Sequence, residues 1–451
     1  MKRNYDTIGV YVPEIMLPAK DSDFSKWAVV ACDQYTSQPD YWEEVKKIAG
    51  DSPSTLYLTF PEIFLKDDDK EDRIKNINAT METYLKESVL EPRKPGFMLL
   101  DRSTAHAASR KGLMLALDLE KYDYNNGSQT LVRATEGTVL DRIPPRVKIR
   151  ENAKIELPHI MVLIDDAEKT VVEPLWDKKA HYEKVYDFDL MKNGGHISGW
   201  AIDDEESLDA AAAALEKLAH PQAFQGKYRV GEDKGTLLFA VGDGNHSLAT
   251  AKAHWENLKA AEGPGILDNH PARYALVEIV NVHDDGIVFE PIHRVLFGID
   301  KATILDELSN YCNHTSQAEY TLFDSEENLH KALAAYAHDR RTHAMPFILE
   351  GVFGLLLVKN PVHTLEVGTL QAALDKLVKS HPHLEIDYIH GGQVVTELGS
   401  RQGNMGFYLP SMDKHDLFKT VILEGVLPRK TFSMGEADEK RYYLECRKIV
   451  K

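Results

Sequence analysis

The sequence predicts a mixed α/β (α+β) fold, and three observations carry that reading. Apolar runs of strand length alternate with amphipathic stretches of helical period. Residues 236–241, a tight glycine turn and a periodic stretch from Asn245 read as strand, turn and helix. A further strand at 274–280 then follows that helix.

The elements can be justified in chain order. Asp67-Asp68-Asp69-Lys70-Glu71-Asp72 opens a helix through Leu85, with the acidic run favoured by the helix dipole. Met98-Leu99-Leu100 and residues 112–119 read as strands, and Tyr124-Asn125-Asn126-Gly127 as a turn. Residues 159–164 form a short buried strand stopped by Asp165-Asp166. Residues 207–220 form an amphipathic helix with Leu208, Ala211, Leu215 and Leu218 on one face, ended at His220-Pro221. In the helix of residues 245–259, Leu248, Ala251, Trp255 and Leu258 recur at helical spacing. Residues 347–358 read as a hairpin turning near Gly351, 369–378 as a helix, and the tail as several short strands. No repeat or low-complexity linker marks a boundary, so the chain is expected to divide near residue 300, into 1–300 and 301–451.

The chain has 451 residues, enough for two or three domains. Its 43% hydrophobic and 27% charged content excludes a wholly disordered chain. No apolar run approaches the roughly 20 residues of a membrane helix. Pro13, Glu14, Pro18 and Lys20 interrupt any apolar stretch behind Met1-Lys2-Arg3, so no signal peptide is expected. Cys32, Cys312 and Cys446 are odd in number and far apart, which argues against a disulfide framework and a paired-cysteine metal site. Neither His-Glu-x-x-His nor paired Cys/His spacing occurs, so no transition metal is expected. The expectation is a soluble, cytoplasmic globular protein.

With 53 basic against 71 acidic residues, the net charge is −18. Such a field repels nucleic acid and anionic membrane, so neither is expected as a partner. Positive charge is nevertheless concentrated locally. Residues 133–150 carry Arg133, Arg142, Arg146, Lys148 and Arg150 against Glu136 and Asp141. The tail 425–451 has a similar excess, including Arg429-Lys430 after Pro428. Arginine forks match phosphate and carboxylate oxygens, so these islands suit a small anionic ligand; ion pairing with the chain's own carboxylates is the alternative. Glu136 is a base, a magnesium ligand or an ion-pair partner on its sequence context.

Val241-Gly242-Asp243-Gly244-Asn245-His246-Ser247 is the most informative segment. Gly242 and Gly244 permit positive φ and close approach of a ligand, and the amides of the first helical turn are anion donors. Asp243 adds a base or metal ligand, His246 a titratable donor and Ser247 a hydroxyl; the alternative is a plain turn capped by Asn245 or Asp243. A Walker A loop is excluded because no lysine follows the glycines. The dinucleotide fingerprint is nearly met by Gly242, Gly244 and Ser247. Glu262 sits in a Glu-Gly-Pro-Gly loop rather than at a strand end, which disfavours a nicotinamide enzyme. Gly194-Gly195-His196-Ile197-Ser198-Gly199 misses the nucleophile-elbow spacing and reads as a ligand loop or turn.

Arg133-Ala-Thr-Glu136-Gly-Thr, Glu156-Leu-Pro-His159, Gly242-Asp-Gly-Asn-His-Ser247, Pro291-Ile-His-Arg294 and Leu427-Pro-Arg-Lys-Thr-Phe432 together resemble the domain of unknown function 1015 family. The resemblance runs over nearly the whole chain. That family's loop, usually Asp-Gly-His-His-Arg, is similar to one in the ParB/sulfiredoxin superfamily, which includes nucleotide hydrolases and an archaeal free-serine kinase. The resemblance implies a ParB/sulfiredoxin-like domain with a C-terminal α/β extension, and a phosphate held at Asp243, Gly244 and His246. Here Asn245 and Ser247 replace the family's first histidine and arginine, so Arg133, Arg142 or Arg294 would have to supply the missing charge. Sulfiredoxin chemistry needs a cysteine in the loop, and this loop has none.

The expected function is binding of a nucleotide (ATP or ADP) or a phosphorylated metabolite, with magnesium, and transfer or hydrolysis of a phosphoryl group, on a serine-like acceptor by analogy. Catalytic roles fall to Glu136, Asp243 and His246. Phosphate-binding roles fall to Gly242, Gly244, Asn245, Ser247, Arg133, Arg142, Arg146, Arg294, Arg429 and Lys430. The competing function is a non-catalytic nucleotide sensor. The sequence gives no oligomeric state.

Overall fold

The computed structural model describes residues 4–138, 140–263, 270–313, 316–337, 339 and 341–451. The architecture is mixed α and β, in two compact units: Met1–Val288 with Met434–Lys451, and Phe289–Ser433. Where the sequence suggested one cut near 300, the chain leaves the first unit at 288 and returns to it at 434. The physical reason is the core. Tyr442, Leu444, Cys446 and Ile449 are buried beside Trp27, Val29 and Trp42 from the chain's start.

The first unit is organised on one large twisted sheet. Its strands are β1 (Phe97–Ser103), β2 (Arg110–Asp118), β3 (Val132–Ala134), β4 (Met161–Ile164), β5 (Glu183–Asp189), β6 (His196–Ile202), β7 (Phe239–Asp243) and β8 (Tyr274–Asn281). Their spatial order is β5-β6-β1-β2-β8-β4-β7-β3. Most neighbours are antiparallel, whereas β4–β8 and β7–β3 are parallel. Period-two alternation splits β1, β2 and β8 between two cores. Phe97 and Leu99 of β1 face one core and Met98 and Leu100 the other.

Four helices of this unit matter here: α1 (Lys70–Lys86), α2 (Ile143–Arg150), α3 (Glu205–Leu218) and α4 (Asn245–Glu262). The acidic α1 buries Ile77 and Met81 and leaves most of its other side chains half-exposed or exposed. Asp204 caps α3 by accepting from the Ser207 amide at 2.8 Å, and Leu208, Ala211 and Leu215 enter the core. Leu248, Ala251 and Trp255 of α4 enter the same core, at the spacing read from sequence. The strands on either side of α4, β7 and β8, lie in one sheet with β4 between them.

The second unit has an antiparallel sheet of β9 (Phe289–Phe297), β10 (Gln317–Phe323), β11 (Thr342–Leu349), β12 (Val352–Lys359), β13 (Glu385–His390) and β14 (Asn404–Phe407). The order is β10-β12-β11-β14-β9-β13. β11 and β12 form the expected hairpin. Glu350 and Gly351 both have positive φ, 47° and 84°, as a two-residue turn matching strand twist requires. Helix α5 (Glu366–Ser380) buries Leu370, Leu374 and Leu377 against Met345, Phe347 and Phe407 of this sheet.

Candidate functional site

The glycine turn lies where β7 gives way to α4. The register of β4 on β7 steps from Val162↔Val241 to Met161↔Asp243, so Gly242 is an unpaired bulge residue that re-aims Asp243. Gly244 caps α4 in the left-handed region, at φ 78° and ψ 25°. A Cβ there would stand 2.9 Å from the Ile160 Cα, so both conformation and space demand glycine. A glycine cap has no side-chain acceptor to offer the opening amides. The positive end of an 18-residue helix is therefore directed at this turn.

Asn245 ties the turn to its neighbour. Its Oδ1 accepts from the Thr135 amide at 3.3 Å, and its Nδ2 donates to the Val241 carbonyl at 3.2 Å. The same carbonyl accepts from the Thr135 hydroxyl at 2.6 Å. The end of β3 is thus fastened beside the turn, and half-buried Glu136 follows directly from Thr135.

Asp243 is an ion-pair partner. Its Oδ1 accepts from the Gly244 amide at 2.8 Å and its Oδ2 from the Lys440 Nζ at 3.0 Å. Burial opposes the carboxylate charge, but the Lys440 ammonium, its hydrogen bond and the Gly244 amide outweigh it, and the carboxyl lies below its ordinary range. His246 is the second residue of α4 and half-buried, with its carbonyl accepting from the Thr250 hydroxyl at 2.7 Å.

Ser247 faces a buried relay. Its Oγ lies 3.2 Å from Nε2 of His159, whose Nδ1 lies 2.7 Å from the Tyr443 hydroxyl. That hydroxyl donates to the Cys32 Sγ at 3.0 Å and accepts from the Cys32 amide at 3.3 Å. Asp33 places an Oδ2 3.8 Å from His159 Nε2. Burial first, and the Asp33 charge after it, push the Cys32 thiol upwards. Burial and the neighbouring Cys32 do the same to the Tyr443 phenol, so both stay protonated at neutral pH. A cavity of about 160 Å³ opens beside this relay, lined among others by Cys32, Arg146, Arg150, His159, Ser247 and Tyr443.

The basic island of 133–150 is largely matched by carboxylates. Arg146 pairs with Glu62, and Lys148 with Glu71 at 2.6 Å. Arg150 meets Glu156 at 2.5 Å. Glu156 is buried and also holds Arg447, at 2.7 Å; these two arginines, Arg447 first, overcome burial and keep it ionised. Arg441, from the other basic island, pairs with buried Glu278 at 2.6 Å. Arg133 turns its guanidinium to the carbonyls of Thr130, at 2.8 Å, and Gly235, and burial lowers its pKa to about 10. The backbone of Arg142 belongs to a short turn, Leu140–Arg142, and its side chain lies outside the described residues.

The structure therefore brings Gly242, Asp243, Gly244, Asn245, His246 and Ser247 together, with Glu136 behind Asn245 and Arg146 on the cavity wall. Arg294, Arg429 and Lys430 belong to the second unit. There Arg294 is fully buried and donates to Gln371 Oε1 and to the carbonyls of Ile292, Arg429 and Lys430. Arg429 donates to the Tyr388 hydroxyl at 2.7 Å. Among the described residues, no group of three or more His, Cys, Asp or Glu side chains is placed to hold a metal ion.

Sequence reasoning missed His159, Tyr443, Lys440, Cys32 and Asp33 as members of this site. His159 ends the Glu156-Leu-Pro-His159 segment on which the family resemblance rests, and that segment is its sequence signal. Lys440 and Tyr443 carry no local signal.

No curated protein matches the chain. Solved structures that match the chain include a conserved hypothetical protein from Pyrococcus furiosus, at 12% identity and TM-score 0.35 over 73% of this chain and 90% of that one. A free serine kinase in complex with AMP matches at 12% identity and TM-score 0.35, over 75% and 91%. SbnI from Staphylococcus aureus matches at 10% identity and TM-score 0.34, over 71% and 82%. The model of the DUF1015 family, described as a protein of unknown function, matches residues 15–377, and the chain belongs to that family.

Proposed function

We propose that this protein binds the phosphates of a nucleotide, ATP or ADP, or of a phosphorylated metabolite at the start of α4, and transfers or hydrolyses a phosphoryl group there. The observation that carries the reading is the Gly244 cap. It opens an 18-residue helix without a side-chain acceptor, beside an Asp–Lys pair and a Ser–His pair. The first-turn amides and the helix dipole hold phosphate oxygens, and Lys440 and Arg146 add positive charge near the developing negative charge. Glu136, fastened to the turn through Thr135 and Asn245, takes the proton of the final acceptor, which by superfamily analogy is serine-like. His246 donates to a phosphoryl oxygen, and Asp243 orients Lys440. Magnesium, in this reading, comes bound to the nucleotide phosphates.

The test is calorimetric titration with ATP, ADP and phosphoserine, with and without magnesium, paired with hydrogen–deuterium exchange. The expected result is saturable binding that slows exchange in peptides covering 241–250. If none of the phosphate compounds binds, the turn is structural and the reading falls.

A further inference from the structure

We infer that Ser247 is a nucleophile activated by His159, so that the reaction passes through a covalent phosphoserine on the enzyme. The inference rests on the phosphoryl reading for its electrophile, but the activation itself rests on geometry alone. A serine is a weak nucleophile unless a base within hydrogen-bond reach takes its proton, and that base works best when a third group fixes its tautomer. Here the third group is Tyr443.

The tautomer follows from counting protons. The Tyr443 hydroxyl has a single hydrogen, and it is directed at the Cys32 Sγ, 3.0 Å away. Its oxygen accepts from the Cys32 amide and has room for one more donor. His159 Nδ1 is 2.7 Å from that oxygen, so it carries the hydrogen and donates. The Nε2 lone pair is then left facing the Ser247 hydroxyl at 3.2 Å. This is the arrangement a general base needs. Asp33 at 3.8 Å from Nε2 stabilises the imidazolium once it forms.

Ser247 is also well placed for the electrophile. It is the third residue of α4, in the same first turn as the amides proposed to hold the phosphate, and it lines the 160 Å³ cavity. In the step, the Ser247 O–H bond breaks and its proton passes to His159 Nε2. The Oγ forms a bond to the terminal phosphorus while the bond from that phosphorus to the bridging oxygen breaks. The bridging oxygen leaves with the electron pair as part of the shortened nucleotide's new terminal phosphate, and the proton stays on His159. The products are phosphoserine and a nucleotide shorter by one phosphate. In the transfer to the final acceptor, the acceptor oxygen attacks the phosphoserine phosphorus and gives its proton to Glu136, while Oγ leaves with the electron pair and takes back the proton held on His159, which restores Ser247.

The test uses the full chain and two probes. One is ATP or ADP labelled in the terminal phosphate. The other is a small fluorophosphonate, whose phosphorus is attacked by an activated serine with loss of fluoride, whatever the natural substrate. Peptide mass mapping is expected to place both adducts on Ser247. Ser247→Ala, which removes the hydroxyl that faces His159, should abolish both. His159→Gln should slow fluorophosphonate labelling by about 10²-fold or more, the contribution of a general base. Asp33→Asn should slow it severalfold and guards against a folding defect in the histidine variant. If nucleotide binds but Ser247 carries neither adduct, the inference is overturned while the proposed function stands. Fluorophosphonate labelling without any nucleotide binding overturns the phosphoryl reading and leaves the activated serine.

Discussion

Lys440 shows how much one side chain can decide. Removing its ammonium leaves the Asp243 carboxylate, three-quarters buried, with the Gly244 amide as its hydrogen-bond donor among the described residues. Lys440→Met should therefore cost about 1–3 kcal/mol at neutral pH, the range for losing a hydrogen bond to a charged group. The cost has a definite pH dependence. Asp243 has a folded pKa below its ordinary value, so its stabilisation is present above about pH 4 and is lost as pH falls through the folded pKa. Thermal melts from pH 7 to pH 3 should show the gap between wild type and Lys440→Met narrowing below about pH 4. A gap that stays constant over that range would mean the pair contributes no ionic stabilisation.

At the scale of the element, the β7–α4 junction makes two glycines unequal. At Gly244 the backbone is left-handed and the obstacle is the Ile160 Cα, which cannot move without shifting β4. At Gly242 the nearest atoms are the Met434 Cε and Sδ at 2.9 Å, the end of a flexible side chain. Gly244→Ala should lose at least about 1–2 kcal/mol from backbone strain alone, with the steric clash added to it. Gly242→Ala should lose less, because Met434 can change rotamer. Urea unfolding of both variants checks the order, and equal losses would refute it. This junction was legible in the sequence. A strand-length apolar run, two glycines and a helical period are local patterns, and Asn245 as the first helical residue was read correctly. The bulge at Gly242 was not legible, because a register step is a property of two strands and only one of them is written in that segment.

For the whole molecule, the return of the tail is the largest fact that the sequence did not disclose. Residues 425–451 read as a basic island suited to an anionic ligand, yet Arg441 and Arg447 are spent on the buried carboxylates Glu278 and Glu156. Trp27 donates to the Leu444 carbonyl at 2.9 Å, which links the two ends of the chain. Truncation after Ser433 would strip both arginines from their partners and open the core around Trp27. Loss of one partner of a buried pair costs about 3–5 kcal/mol, so two such losses consume most of a typical domain's stability. The truncated chain should fail to give a cooperative thermal transition for the first unit by calorimetry. A full-sized transition at an unchanged temperature would refute the structural role of the tail.

By itself the sequence determined the mixed α/β class, the main helices, the hairpin at Gly351, the family, and the glycine turn as a strand-to-helix junction. Each is fixed by short-range chemistry: side-chain period, glycine's access to positive φ, and motif residues close together along the chain. Only the tertiary structure decided which side chains meet at that turn. His159 comes from the approach to β4, Cys32 and Asp33 from the N-terminal segment, and Lys440 and Tyr443 from the returning tail. None of these is near Ser247 in sequence. They are gathered because burying the apolar faces of one sheet draws distant segments together, and polar groups carried along with them must then find one another.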